Sequence, residues 1–194
     1  MVTRLALTWL VVAATLTAAG CPCDSGLPDL FYDGLQARCG GLPCGWTATA
    51  GDVAQVETFH SGERGLRLAV GGAAERDLPE VSLPGAFEQG AVVSLLVACD
   101  AQTALVFEVD VTRDVPDQTS GERTPLTLVA RREPTPGDSA GGPLLRSVLV
   151  LELSSGEDVP PSTATALRVF IDGPGVCTFD ELHLAGARSF TCQG

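Results

Sequence analysis

The chain has 194 residues, 24 acidic against 12 basic side chains, a formal net charge of −12 and 45% hydrophobic residues, enough for one domain with a substantial core. All twelve basic residues are arginine, and they are scattered rather than clustered. An acidic chain of this kind excludes nucleic acid as a partner, because phosphate binding needs grouped Lys and Arg.

The N-terminus carries an address. Arg4 supplies a positive charge, Leu5 to Leu16 an apolar stretch, and Thr17-Ala18-Ala19-Gly20 a run of small residues ending at Cys21. Positive, apolar and small-residue regions in that order read as a secretory signal over residues 1–20, too short for a membrane-spanning helix. The spacing Leu16 to Cys21 resembles a bacterial lipobox, which implies acylation of Cys21 and export to the cell envelope with a lipid anchor in a membrane. Seven cysteines is an odd number, and acylation of Cys21 removes the unpaired one. The remaining six, Cys23, Cys39, Cys44, Cys99, Cys177 and Cys192, are expected as disulfides in an oxidising compartment. Cys39 and Cys44 flank a flexible Gly-Gly-Leu-Pro turn, Cys23 and Cys192 lie near the ends of the mature chain, and Cys99 and Cys177 are left at strand termini.

Residues 21–29 read as a tether, and the folded domain is expected over 30–194, opening with Leu30-Phe31-Tyr32 before the Asp33-Gly34 turn. Cys39 to Trp46 is too rich in Gly and Pro for a strand and reads as a stapled loop anchored by Trp46. Strands are expected over Val53 to Phe59 and Gly65 to Val70, followed by a Pro-bearing segment from Leu78 to Phe87. Ala91 to Ala98 is apolar throughout, the pattern of a central strand buried on both faces. In Leu105 to Thr112 the apolar residues Leu105, Phe107, Val109 and Val111 alternate with Glu108, Asp110 and Thr112, which predicts one buried and one wet face. Leu126 to Ala130 and Ser147 to Leu153 are further strands. Leu167 to Leu184 reads as a closing hairpin turning at Gly173-Pro174-Gly175, with Cys177 close enough to Cys99 to be bridged and Phe179, Leu182 and Leu184 in the core beside Leu66 and Leu68. Short strands between turn residues, with no helical period beyond the signal, predict an all-β fold, a single β-sandwich of jelly-roll type.

The order Leu30-Phe31-Tyr32-Asp33-Gly34, Gly45-Trp46, His60-Ser61-Gly62 before Leu66-Arg67-Leu68, and Leu167-Arg168-Val169 running into Phe179-Asp180-Glu181-Leu182 resembles carbohydrate-binding modules and other galactose-binding-like jelly rolls. The resemblance implies glycan binding through aromatic residues, and a structural calcium ion whose ligand segments hold Asp33 and Asp180. The chain departs from it in having few aromatics and in placing Tyr32 where the family has an acidic residue.

One stretch imitates an enzyme. Gly137-Asp138-Ser139-Ala140-Gly141-Gly142-Pro143 resembles the nucleophile motif of chymotrypsin-like proteases with one alanine inserted, which shifts the glycines out of register with the nucleophile. The histidines available as a base are His60 and His183, neither in that family's sequence context. A serine hydrolase using Ser139 is thus the rival to a non-catalytic envelope lipoprotein whose partner is a glycan or an envelope protein. A zinc set from Cys39, Cys44 and the histidines lacks ligand spacing, and no cofactor is expected beyond the calcium that the resemblance implies.

Overall fold

Apolar alternation at period two forms strands wherever it occurs in the described residues, which are 30–58, 64–85, 90–114 and 122–186 of a computed structural model. Its elements are β1 (Phe31–Asp33), β2 (Arg38–Cys39), β3 (Leu42–Pro43), β4 (Trp46–Glu57), β5 (Arg64–Leu83), β6 (Ala91–Cys99), β7 (Ala104–Arg113), β8 (Pro125–Arg132), β9 (Leu145–Val150), β10 (Glu152–Leu153), β11 (Ser162–Asp172) and β12 (Val176–Gly186). No helix occurs among the described residues.

The strands make a sandwich of two layers joined by long bent strands. In the first layer the early part of β5 pairs with β12, β12 with β6, and β6 with β9, while β1 extends the free side of β12. In the second, the late part of β5 pairs with β11, β11 with β7, β7 with β8, and β8 with β10. All of these pairs are antiparallel, and the chain crosses between layers after β6, β8, β9 and β11, the wrapping of a jelly roll.

β4 and β5 are longer than the alternation alone predicts, because the ribbon bends between layers without ending. Val70 (φ 50°), Gly71 (φ 68°) and, opposite them, Gly51 (φ 59°) take left-handed backbone conformations, and the β4–β5 register shifts on both sides of Ala50. A Cβ on Gly51 would lie 2.5 Å from the carbonyl carbon of Gly71, so the two backbones meet where no side chain fits. Pro79, in the Pro-bearing segment that follows the expected strand Gly65 to Val70, also lies within β5. The register of β11 on β5 slips between Ala164 and Ala166, so Pro79 falls in a bulge that asks no ladder hydrogen bond of it.

The expected closing hairpin is corrected by the pairing. β11 lies between β5 and β7 in the second layer, whereas β12 lies between β5 and β6 in the first, so Gly173 to Gly175 is an arch between layers. The arch rests on the one between β6 and β7. A Cβ on Gly173 would approach Gln102 O at 2.4 Å, and one on Gly175 would approach Thr103 Oγ1 at 2.5 Å. The Gly175 and Val176 N–H groups donate to Thr103 Oγ1 and Asp100 Oδ2, each at 2.9 Å.

The inward faces fill one core. Phe179 and Phe107 are fully buried, with ring centroids 5.7 Å apart and edge to face, and Leu182 and Leu184 join Leu66 and Leu68 as expected. Every residue of β6 is buried, in agreement with its unbroken apolar run. Trp46 is 5% exposed and packs edge-on to Phe179, so it anchors the loop rather than a ligand. Cys39–Cys44 and Cys99–Cys177 are disulfides with Cα separations of 4.8 and 4.1 Å, which removes Cys39 and Cys44 from any zinc set. The signal, the tether, Cys21, Cys23, His60 and Cys192 lie outside the described residues.

Candidate functional site

The outward face of the second layer carries a row of charged groups. The row crosses it from edge to edge. Thr47 of β4 stands opposite Glu75 of β5, Glu75 opposite Arg168 of β11, Arg168 opposite Glu108 of β7, Glu108 opposite Val129 of β8, and Val129 opposite Glu152 of β10. Residues directly opposite in adjacent strands have Cβ atoms about 4.5–5.5 Å apart, so these side chains form a continuous line. The parallel row on one side holds Asp77, Ala166, Asp110 and Thr127, and the row on the other holds Ala73, Phe170, Val106 and Arg131. A charged line therefore runs between a polar border and an apolar border in which the Phe170 ring is half-buried.

Arg168 organises the charge. Its Nη1 donates to Glu108 Oε2 at 3.3 Å and its Nη2 to Asp110 Oδ2 at 2.5 Å, while Thr127 Oγ1 donates to Asp110 Oδ1 at 3.0 Å. The hydrogen bond it donates to Asp110 raises the pKa of this guanidinium above the ordinary arginine value, against a desolvation effect of the opposite sign. Arg131 is raised in the same way by the hydrogen bonds it donates to Asp172 and Glu133. Neither arginine loses its proton at any physiological pH, so both hold their carboxylates in place. Among the described residues no donor is hydrogen-bonded to the carboxylates of Glu75 and Glu152, which leaves acceptors open along the row. At the β10 end the row borders an open depression of about 480 Å³ lined by Val129, Arg131, Val150, Glu152 and Leu153 among others.

The residues singled out from the sequence lie elsewhere. Asp33 Oδ1 accepts from Leu35 N at 2.9 Å, and its Oδ2 accepts from Trp46 Nε1 at 2.7 Å and from Arg76 Nη1. Arg76 also lies over the Phe31 ring, 5.1 Å from its centroid. A carboxylate filled by N–H donors and a cation is a structural clasp and does not suit a calcium ligand. Asp180 is fully buried on β12, where its Oδ1 accepts from Glu181 N at 2.8 Å and its Oδ2 from Thr58 Oγ1 at 3.4 Å. The described residues contain no group of three or more His, Cys, Asp or Glu side chains that could hold a metal ion.

Ser139 is exposed in the loop between β8 and β9. Its neighbour Asp138 is bound to Arg132 at 2.5 Å, and Ala140 N donates to Asp100 Oδ1 at 3.1 Å. The loop is thereby tied to the Asp100 end of β6, whereas His183 stands opposite Ser94, about 20 Å back along that strand at 3.3 Å per residue. The His183 imidazole, 4.6 Å from the Tyr32 ring, therefore cannot serve Ser139 as a base. The sequence reading missed the row itself. It assigned Glu108 and Asp110 to a wet face, but nothing local says which strand brings Arg168 against them.

No protein-family model matches the sequence, and no curated protein matches it. Solved structures similar to it include the family 22 carbohydrate-binding and GH10 modules of endo-1,4-β-D-xylanase 10B from Clostridium thermocellum complexed with xylohexaose, at 15% identity and a TM-score of 0.46 over 81% of this chain. This chain spans only 28% of the length of that one. The xylan-binding domain CBM22-1 of Paenibacillus barcinonensis Xyn10C is similar at 13% identity and a TM-score of 0.48, covering 83% of this chain and 96% of its own. A family 29 carbohydrate-binding module variant complexed with cellulohexaose is similar at 13% identity and a TM-score of 0.40, covering 84% and 96%. At these scores the likeness assigns neither a ligand nor a site.

Proposed function

We propose that this chain is a non-catalytic binding domain of the cell envelope, anchored through acylated Cys21, and that its outward second-layer face binds a neutral glycan. One observation carries the reading: the unbroken row Glu75, Arg168, Glu108, Val129, Glu152 beside an apolar border at Phe170. Sugars present hydroxyl pairs and C–H faces together, and carboxylates held by arginine accept hydroxyl donors without having to be ordered first. The acidic line disfavours polyanions such as uronic acid polymers. The hydrolase rival is the weaker reading, because Ser139 lies where His183 cannot reach it and Asp138 is committed to Arg132.

Affinity electrophoresis through gels containing neutral or uronic acid polysaccharides tests the ligand class. Retardation is expected in at least one neutral gel and in none of the acidic ones, and the reverse pattern would refute it. Acylation is tested separately by metabolic labelling with a fatty acid, which the Cys21→Ser variant is expected to lose.

A further inference from the structure

The depression at the β10 end of the row has a lining of its own. Val129 of β8 and Val150 of β9 give it an aliphatic wall, with Val150 55% exposed. Arg131, Glu152 and Ser154 supply its polar side chains. Arg131 is committed, because its Nε donates to Glu133 at 2.7 Å and its Nη2 to Asp172 at 2.8 Å. Among the described residues neither the Glu152 carboxylate nor the Ser154 hydroxyl has a hydrogen-bond partner. Both are open to a ligand.

The charges decide which ligand group suits this place. One guanidinium stands against the carboxylates of Glu133, Asp172 and Glu152, on a chain of net charge −12, so the local field is negative. An anionic group is repelled there, whereas an ammonium gains a charge-assisted hydrogen bond to Glu152. A hydroxyl beside that ammonium would meet Ser154, two positions further along the same lining, and a C–H face would lie on Val129 and Val150. An amino sugar carries amine, neighbouring hydroxyl and C–H face together, while a lysine side chain lacks the hydroxyl. Glu152 also belongs to the row, since it stands opposite Val129, which stands opposite Glu108. A sugar chain lying along the row therefore brings its last unit over the depression.

We infer that the depression beside Glu152 takes the protonated amine of an amino sugar at the end of an otherwise neutral glycan whose other units lie along the row. The inference rests on the reading of the row as a glycan site and names the end unit of its ligand. The test is an array of neutral oligosaccharides capped with glucosamine or galactosamine, each beside its N-acetylated twin, together with a trilysine peptide. It is probed in slightly acidic buffer, where the amine is charged, with the full parent chain, Glu152→Gln and Glu57→Gln. Glu57 is exposed on β4 outside the row, and its variant matches the charge change of Glu152→Gln. The parent is expected to bind an amine-capped member at least about tenfold more tightly than its acetylated twin, as one charge-assisted hydrogen bond implies. That ratio should fall to about one in Glu152→Gln and stay unchanged in Glu57→Gln. A ratio near one in the parent, no binding of any amine-capped member, or a ratio that Glu152→Gln leaves intact would overturn the inference, and the neutral members would still decide the row. An equal loss in Glu57→Gln would overturn it in favour of attraction to net charge alone. Trilysine bound as tightly, and lost equally in Glu152→Gln, would overturn it in favour of a basic protein segment. Binding of amine-capped members with none of the neutral ones would refute the row and retain the amine site.

Discussion

Cys99 and Cys177 stand directly opposite each other in the β6–β12 ladder, joined as a disulfide with both residues fully buried. The bond closes a separation of 78 residues at the point where the chain crosses between layers twice, after β6 and before β12. In the chain-entropy model a loop of that length contributes roughly 4 kcal/mol. Peptide mapping of the native protein is expected to recover Cys99 with Cys177 and Cys39 with Cys44. The Cys99→Ala, Cys177→Ala double variant should lose stability of that order in urea denaturation, and recovery of Cys177 bound to Cys39 or Cys44 would contradict the strand arrangement.

Phe179 joins the two layers, packing edge-on against both Trp46 and Phe107 while fully buried. Phe179→Ala should cost about 3–5 kcal/mol by denaturant titration, because both the transfer term and the residual cavity count against it. Tyr32→Ala, on an exposed ring, should fall within about 1 kcal/mol of the parent.

Asp33 clasps Trp46 and Arg76, accepting from both through Oδ2. Asp33→Ala would leave the indole N–H and a largely buried guanidinium without their acceptor, at a cost of roughly 2–3 kcal/mol. That loss is expected to be the same with calcium and with chelator. A destabilisation that appears only when calcium is present would mean that Asp33 holds the ion.

Gly51→Ala tests the bend. The added methyl would meet the Gly71 backbone at 2.5 Å in a conformation that already favours glycine, so one strand of the ribbon must move. A loss of more than about 2 kcal/mol is expected, against less than about 1 for Gly137→Ala in open loop space, where positive φ is the only conflict.

Much of this fold is legible in the sequence because alternation reports burial directly. The inward set of β7, the double burial of β6 and the approach of Cys99 to Cys177 all follow from period two and strand ends. Two features are not local. The arch at Gly173 to Gly175 has a hairpin's composition, and only the pairing of β11 with β7 and of β12 with β6 separates its two strands into different layers. Gly71-Gly72 and Pro79 read as strand breakers, yet β5 passes through both because a bulge uses the freedom of the glycines and needs no N–H from the proline. The candidate site was hidden for the same reason. Glu75, Glu108, Glu152 and Arg168 come from four strands, and a row exists only once the register is known.

The central claim is that the row on the outward second-layer face holds a neutral glycan, and the most direct measurement is a glycan array probed in parallel with the parent, Glu108→Gln and Arg168→Ala. The parent is expected to bind a set of neutral glycans, and both variants, folded by circular dichroism, should lose about tenfold or more of that signal, as removal of one or two charge-assisted hydrogen bonds implies. Binding by the parent that survives unchanged in both variants, or no binding by the parent to any neutral glycan, would contradict the account.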